Sequence, residues 1–229
     1  MDFNLFLWPM LLPMIIPILY CTRYKKESLA DIGVITGVMF FIVILYWPLL
    51  TTNFLSTHTY ITVKFLLFVI LPVICLQIIK RKKSLGFKQY GIKKEGLKKS
   101  TLWCILFLPI MLGVTTVIHY INGVTIESDV LVATVSFFEA FTEEFFFRGI
   151  LFIFLISRTN LKIAYITSLV SFVLIHPQHF ETIFIIGPVV QGILTIEICR
   201  RSNNLIGAWL LHGANRFFTI AIIPLLLLS

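Results

Sequence analysis

Three of the eleven acids in this 229-residue chain, Glu139, Glu143 and Glu144, lie with Arg148 in one short stretch of an apolar run from Val130 to Ile156. A charged side chain at the centre of a bilayer costs about 2.5–3.5 kcal/mol on insertion scales. Such residues therefore need partners, water or a chemical role. His176, His212 and Asn215 sit inside other apolar runs. A desolvated carboxylate can act as a general base. Imidazoles can orient a water, bind a metal or donate to a developing oxyanion, and an amide can donate to the same oxyanion. The same residues could equally be interhelical glue in a scaffold or line a proton or ion path.

Helical spacing sorts these groups. Glu144 and Arg148 are four apart, so they share a stripe and can pair. Glu143 is rotated about 100° from Glu144, shares a stripe with Glu139 and is expected to project toward the histidines. Measured from the basic end of each run, Glu143 and His176 lie about 20 Å deep, His212 about 11 Å and Asn215 about 15 Å. Three runs thus bring polar side chains to a common band, which predicts a polar site in the membrane interior. Phe145, Phe146 and Phe147 would either wall that site or face acyl chains. The chain has no HExxH and no GxSxG, so neither the zincin arrangement nor a nucleophile elbow is available.

The elements that must position these residues are transmembrane helices. The chain is 58% hydrophobic and 13% charged, with a mean hydropathy of +0.95. Repeated apolar runs of about 18 or more residues mark membrane-spanning helices, and the short alternating segments of a β-barrel are missing. An all-α, polytopic membrane protein of about eight spans is expected, over 3–20, 32–50, 60–79, 101–120, 130–156, 163–176, 181–198 and 205–228. The loops at 21–31, 80–100, 157–162 and 199–204 are basic, whereas 51–59, 121–129 and the turn around Glu181 are neutral or acidic. The positive-inside rule then puts the basic loops in the cytoplasm and both termini outside.

The net charge of +8 is accordingly a matter of orientation and not of nucleic-acid binding. Nine basic residues crowd Lys80–Ser100 against Glu95 alone. That loop, position 90 included, is expected at the cytoplasmic face, where it could also lie on anionic lipid. Lys64, near one end of its run, is expected to snorkel to the interface. Pro9, Pro13 and Pro17 put kinks on one side of the first run. That run follows no basic stretch and reads as a retained helix, not a signal peptide. Cys21, Cys75, Cys104 and Cys199 have no metal or redox spacing and are expected as free thiols.

Glu143-Glu144-x-x-x-Arg148 resembles the EExxxR motif of the CPBP family, the CAAX proteases and bacteriocin-processing enzymes. Phe172-x-x-x-His176 is similar to that family's FxxxH, and His212 with Asn215 resembles its HxxxN. The asparagine falls three residues after the histidine instead of four, and Arg216 holds the fourth place. The tract from Gln191 to Leu205 is similar to the stretch before the family's last motif. The likeness runs from about Thr101 to the C-terminus. It divides the chain into N-terminal helices with a basic loop (1–100) and a catalytic helical core (101–229).

The resemblance implies an intramembrane endopeptidase. Glu143 would be the general base that activates water, His176 would help hold that water, and His212 with Asn215 would stabilise the tetrahedral oxyanion. Arg148 would pair with Glu144. The family is described both as metalloproteases and as metal-independent glutamate proteases, so Glu143, His176 and His212 are also candidate ligands for a divalent metal such as zinc. No other cofactor is implied. The implied partners are membrane lipids and a peptide or lipidated-protein substrate of prenylated or bacteriocin type, reached through the bilayer or from the cytoplasmic face. No oligomeric state is fixed. Short loops suggest a bacterial member in the plasma membrane. The rivals are a non-catalytic bacteriocin-immunity or scaffold protein of the same fold, and a transporter, for which the expected internal repeats are not seen.

Overall fold

The computed structural model describes residues 8–51, 57–79, 85–123 and 127–227, and these contain helices and connections but no strand. A 3-10 segment, Trp8–Met14, leads into α1 (Ile15–Tyr24), and α2 (Leu29–Thr51) follows. α3 (Thr57–Phe65) and α4 (Leu71–Ile79) are joined by a π-helical stretch, Leu66–Ile70. α5 is Leu97–Asn122. α6 (Val130–Glu144) runs into a ten-residue π-helix, Phe145–Phe154, and then α7 (Leu155–Arg158). α8 (Leu161–Leu174), α9 (Ile186–Ser202) and α10 (Ile206–Phe217) follow. A π-helical turn, Phe218–Ile222, and α11 (Ile223–Leu227) complete the described chain.

Five described helices are long and apolar enough to cross a membrane: Lys26–Tyr46, Thr59–Ile79, Leu97–Asn122, Ile183–Ser202 and Ile206–Leu227. The expected count of eight is thus met only in part, for physical reasons. The continuous helix from Val130 to Arg158 carries three glutamates and an arginine in its middle. Leu161–Leu174 is apolar but has only 14 residues. The expected first run overlaps the short pair Trp8–Met14 and α1, and its opening residues lie outside the described ones.

Local sequence explains the helix ends. The Asp129 carboxylate accepts the Val132 N–H at 2.8 Å and the Asn160 side chain accepts the Ile163 N–H at 3.0 Å, capping α6 and α8. Asn203, at φ 50°, ends α9 in the left-handed region that asparagine tolerates. α10 lies against α5, α6 and α9, and α8 lies against both the long π-helix and Trp8–Met14. Phe145, Phe146 and Phe147 are all buried, so they neither face acyl chains nor line the polar site. Phe146 and Phe147 pack on Phe68, at 5.7 and 6.4 Å between ring centroids, and Phe145 packs on Tyr90 at 5.4 Å. In lipid such packing replaces the hydrophobic drive, and each aromatic pair adds about 0.5–1.5 kcal/mol.

The basic ends of the helices are tied together. The Asn204 side chain donates to the Lys93 and Glu95 carbonyls at 2.7 and 3.1 Å, and Leu205 N–H donates to Gly91 O at 2.9 Å. Arg158 meets Asp31 at 2.5 Å, and Lys25 donates to Thr159 O at 3.0 Å. Tyr90, in the loop expected on the cytoplasmic side, is fully buried; burial pushes its phenol up to about 12. The four cysteines are free thiols.

Gly207 N–H donates to Ser100 Oγ at 2.8 Å, and a Cβ at Gly207 would collide with the Ser100 carbonyl. Gly207→Ala is therefore expected to destabilise the protein by about 1–3 kcal/mol, seen as a lower melting temperature in detergent. Gly37→Ala, where a Cβ meets nothing within 4 Å, is the comparison.

Candidate active site

Glu143 lies in the last turn of α6, buried, and its two carboxylate oxygens have different surroundings. Oε1 faces cations: Lys64 Nζ at 2.5 Å and Arg216 Nη1 at 3.7 Å. Oε2 accepts no hydrogen bond from any described group. It faces His176 Nε2 and His212 Nε2, each at 4.0 Å. The sequence expectation that Glu143 projects toward both histidines thus matches the geometry.

Each imidazole is oriented through its other nitrogen. His176 stands two residues beyond α8, where its Nδ1 lies 2.9 Å from the Phe172 carbonyl. His212, on α10, has Nδ1 2.9 Å from Glu144 Oε1. Carbonyl and carboxylate oxygens only accept, so both Nδ1 atoms are the donors, and each ring in its neutral form presents an Nε2 lone pair toward Glu143. Glu144 and Arg148 pair as their spacing predicts, with Nε 3.3 Å from Oε2. The same Nε donates to Thr195 Oγ1 at 2.7 Å, and the guanidinium lies 4.2 Å above the Phe172 ring. Arg148, Glu144 and His212 therefore form a chain from the α9 backbone to the imidazole beside Glu143.

Asn215 lies in the wall of the cavity beside Glu143, held by two neighbouring helices. Its Oδ1 accepts from Thr115 Oγ1 at 2.7 Å and its Nδ2 donates to Gln191 Oε1 at 3.4 Å. That amide links α10 to α5 and α9 and is not directed at Glu143. One residue further round the helix, Arg216 reaches the site, with Nη2 2.7 Å from Glu139 Oε2 as well as its contact to Glu143.

Lys64 is the largest correction. It is 1% exposed, not at the interface, and its ammonium bridges Glu139 and Glu143. The rings of Tyr46, Tyr60 and Phe68 lie 5.5–5.9 Å from Nζ. Glu139, Lys64 and Arg216 were not among the expected site residues. Their signal was charge balance: Glu139, Glu143 and Glu144 against Arg148 leave two negative charges over, and Lys64 and Arg216 are bases inside apolar runs. A π-helical stretch begins one or two residues after Lys64, Glu144 and Arg216 alike, and such stretches are frequent at functional sites.

The donor set does not fit a metal. A tetrahedral zinc with bonds of about 2.0–2.2 Å needs ligand atoms about 3.3–3.6 Å apart, and both imidazole nitrogens are 4.0 Å from the carboxylate oxygen. No group of three His, Cys, Asp or Glu among the described residues is arranged to hold a metal ion.

A cavity of about 540 Å³ adjoins these groups, with Glu143, His176, His212, Lys64 and Arg216 in its wall. The family model described as type II CAAX prenyl endopeptidase Rce1-like matches residues 103–218, just over half of the chain. Neither the curated proteins nor the solved structures give a match.

Proposed function

Because the chain belongs to the Rce1-like family, the type II CAAX prenyl endopeptidases, we propose that it hydrolyses a peptide bond within the membrane with a water activated by Glu143. The observation that carries this reading is the divided carboxylate. Oε1 is neutralised by two cations, while Oε2 is left to face two imidazole lone pairs. A water there donates one proton to Oε2 and the other to an imidazole Nε2, so its own lone pair points at the substrate carbonyl. Attack transfers the first proton to Glu143, and the same proton then passes to the leaving amine. The developing oxyanion needs a donor. His212 already donates from Nδ1 to Glu144, whereas the Arg216 guanidinium always carries N–H groups. Arg216, 29% exposed toward the cavity, is the proposed donor in place of asparagine. Glu144 and Arg148 hold His212 in position.

The substrate is a membrane-associated peptide of prenylated or bacteriocin type, and the membrane is a bacterial plasma membrane. The cations on Glu143 Oε1 also favour a second reading, a non-catalytic immunity or scaffold protein of the same fold. Purified protein in liposomes, incubated with membrane-anchored peptides of both types, tests the choice. Cleavage is expected, with a rate changed less than twofold by a chelator. Cleavage lost to the chelator and restored by zinc would overturn the metal-free step; no cleavage of any peptide would favour the second reading.

A further inference from the structure

The cavity beside Glu143 is built entirely at one end of the molecule. On α2 it is lined by Tyr46, remote from the basic stretch at 21–31; on α3 by Tyr60 and Lys64, in the first two turns. On α5 the lining begins at Met111 and ends at His119, away from the lysines of the first turn. On α9 it is confined to the opening turns, through Gln191, whereas Arg200 and Arg201 close that helix. Beyond α10 it extends to Thr219. Apart from the helix Val130–Arg158, which supplies Glu143 from its middle, every helix that reaches the cavity does so with the half far from its basic loop.

Exposure rises in the same direction. Glu143 and His212 are buried at the floor; His119, His179 and Thr219 are half-buried; Gln178 is exposed. His176 stacks on His179, and Phe184 bridges His179 to His119, in a row of rings from the floor to the mouth. The connections flanking this mouth carry Glu127, Asp129 and Glu181 and no lysine or arginine.

The opposite end is closed. Tyr90 is fully buried against Phe145 and Phe154. A Cβ at Gly149 would lie 3.1 Å from the Tyr90 carbonyl, so the 87–90 turn sits directly on the π-helix that follows Glu144. Asn204 and Leu205 stitch that loop to the start of α10.

Basic loops stay in the cytoplasm. We therefore infer that the substrate is a peptide presented from the extracytoplasmic side, entering past Gln178 and His179, and not a tail offered from the cytoplasm. The inference deepens the peptidase reading by naming where its substrate comes from, but its test does not require turnover.

The test uses the full-length chain with its four cysteines replaced by serine or alanine, and single cysteines at Gln178, Thr219 or Lys88. Variants are scored once they keep the melting temperature of the parent in detergent. The probe is a membrane-impermeant maleimide, applied to intact cells or to inside-out vesicles. Gln178→Cys and Thr219→Cys are expected to react at least tenfold faster in intact cells, and Lys88→Cys at least tenfold faster in inside-out vesicles. Reaction of the first two only in inside-out vesicles, reaction of neither from either side, or labelling of Lys88→Cys in intact cells would overturn the inference. Correct labelling with no peptide cleavage would leave the access route standing and sink the peptidase reading alone.

Discussion

Glu143→Gln is expected to lower kcat for peptide cleavage by about a hundredfold to ten-thousandfold, the range typical of a lost general base. The substitution keeps size and shape but cannot take a proton from water. KM should change little, because the proposed contact is with the attacking water and not with the peptide. Folding should survive. Lys64 and Arg216 each retain Glu139 as a partner, so neither cation is left alone in the bilayer. The measurement is paired: initial rates in liposomes beside the melting temperature in detergent. Cleavage at the wild-type rate in a well-folded Glu143→Gln protein would remove the base from the mechanism. A lost phenotype with a collapsed melting temperature would assign Glu143 to architecture.

Arg148→Ala should act on stability instead, with a loss of about 3–5 kcal/mol, the usual consequence of stranding one half of a buried ion pair. Arg148 is completely buried, as is Glu144. Removing the guanidinium also takes a donor from Thr195 Oγ1, which keeps its bond to the Gln191 carbonyl, and takes the cation from the Phe172 face. Glu144 then keeps only His212. Arg148→Lys restores a charge but neither the Nε that faces carboxylate and hydroxyl nor the planar group over the Phe172 ring, so it should recover part of the loss. Thermal melts in one detergent, with Glu143→Gln alongside, check the order: Arg148→Ala lowest, Arg148→Lys between, Glu143→Gln nearest the parent. Equal melting temperatures for Arg148→Ala and Glu143→Gln would refute the pairing as a stabilising feature.

The parts of the site carried by one helix were legible in the sequence. Glu144 and Arg148 meet because four residues separate them, and Glu143 diverges from Glu144 because neighbours on a helix cannot share a face. Glu143, His176 and His212 also meet, with both Nε2 atoms 4.0 Å from Glu143 Oε2. What depended on contacts between helices was not legible. Lys64 lies close to the start of its helix, and position alone favours the interface; only the packing of α3 against α6 shows it turned inward to Glu139. Arg216 reaches Glu143 because it stands four residues after His212, the place the HxxxN spacing gives to asparagine, whereas Asn215 is rotated about 100° from it. The helix from Val130 to Arg158 was itself legible as the run 130–156, although its concentration of buried charge keeps it out of the five apolar enough to cross a membrane.

The Lys64 bridge has a consequence for how the chain is made. Glu139 and Glu143 are synthesised long after Lys64, yet in the finished protein the ammonium sits between them. While the ribosome is still completing α6, Lys64 has no carboxylate partner and cannot settle at its final depth cheaply; water or lipid headgroups must tend it meanwhile. The helices that precede residue 101 are therefore a counter-ion for the later ones, and the family-like segment 103–218 is electrically incomplete without them. Insertion of this protein has to be an act of assembly, in which an early helix waits at the edge of the bilayer and is drawn inward when α6 arrives to neutralise it.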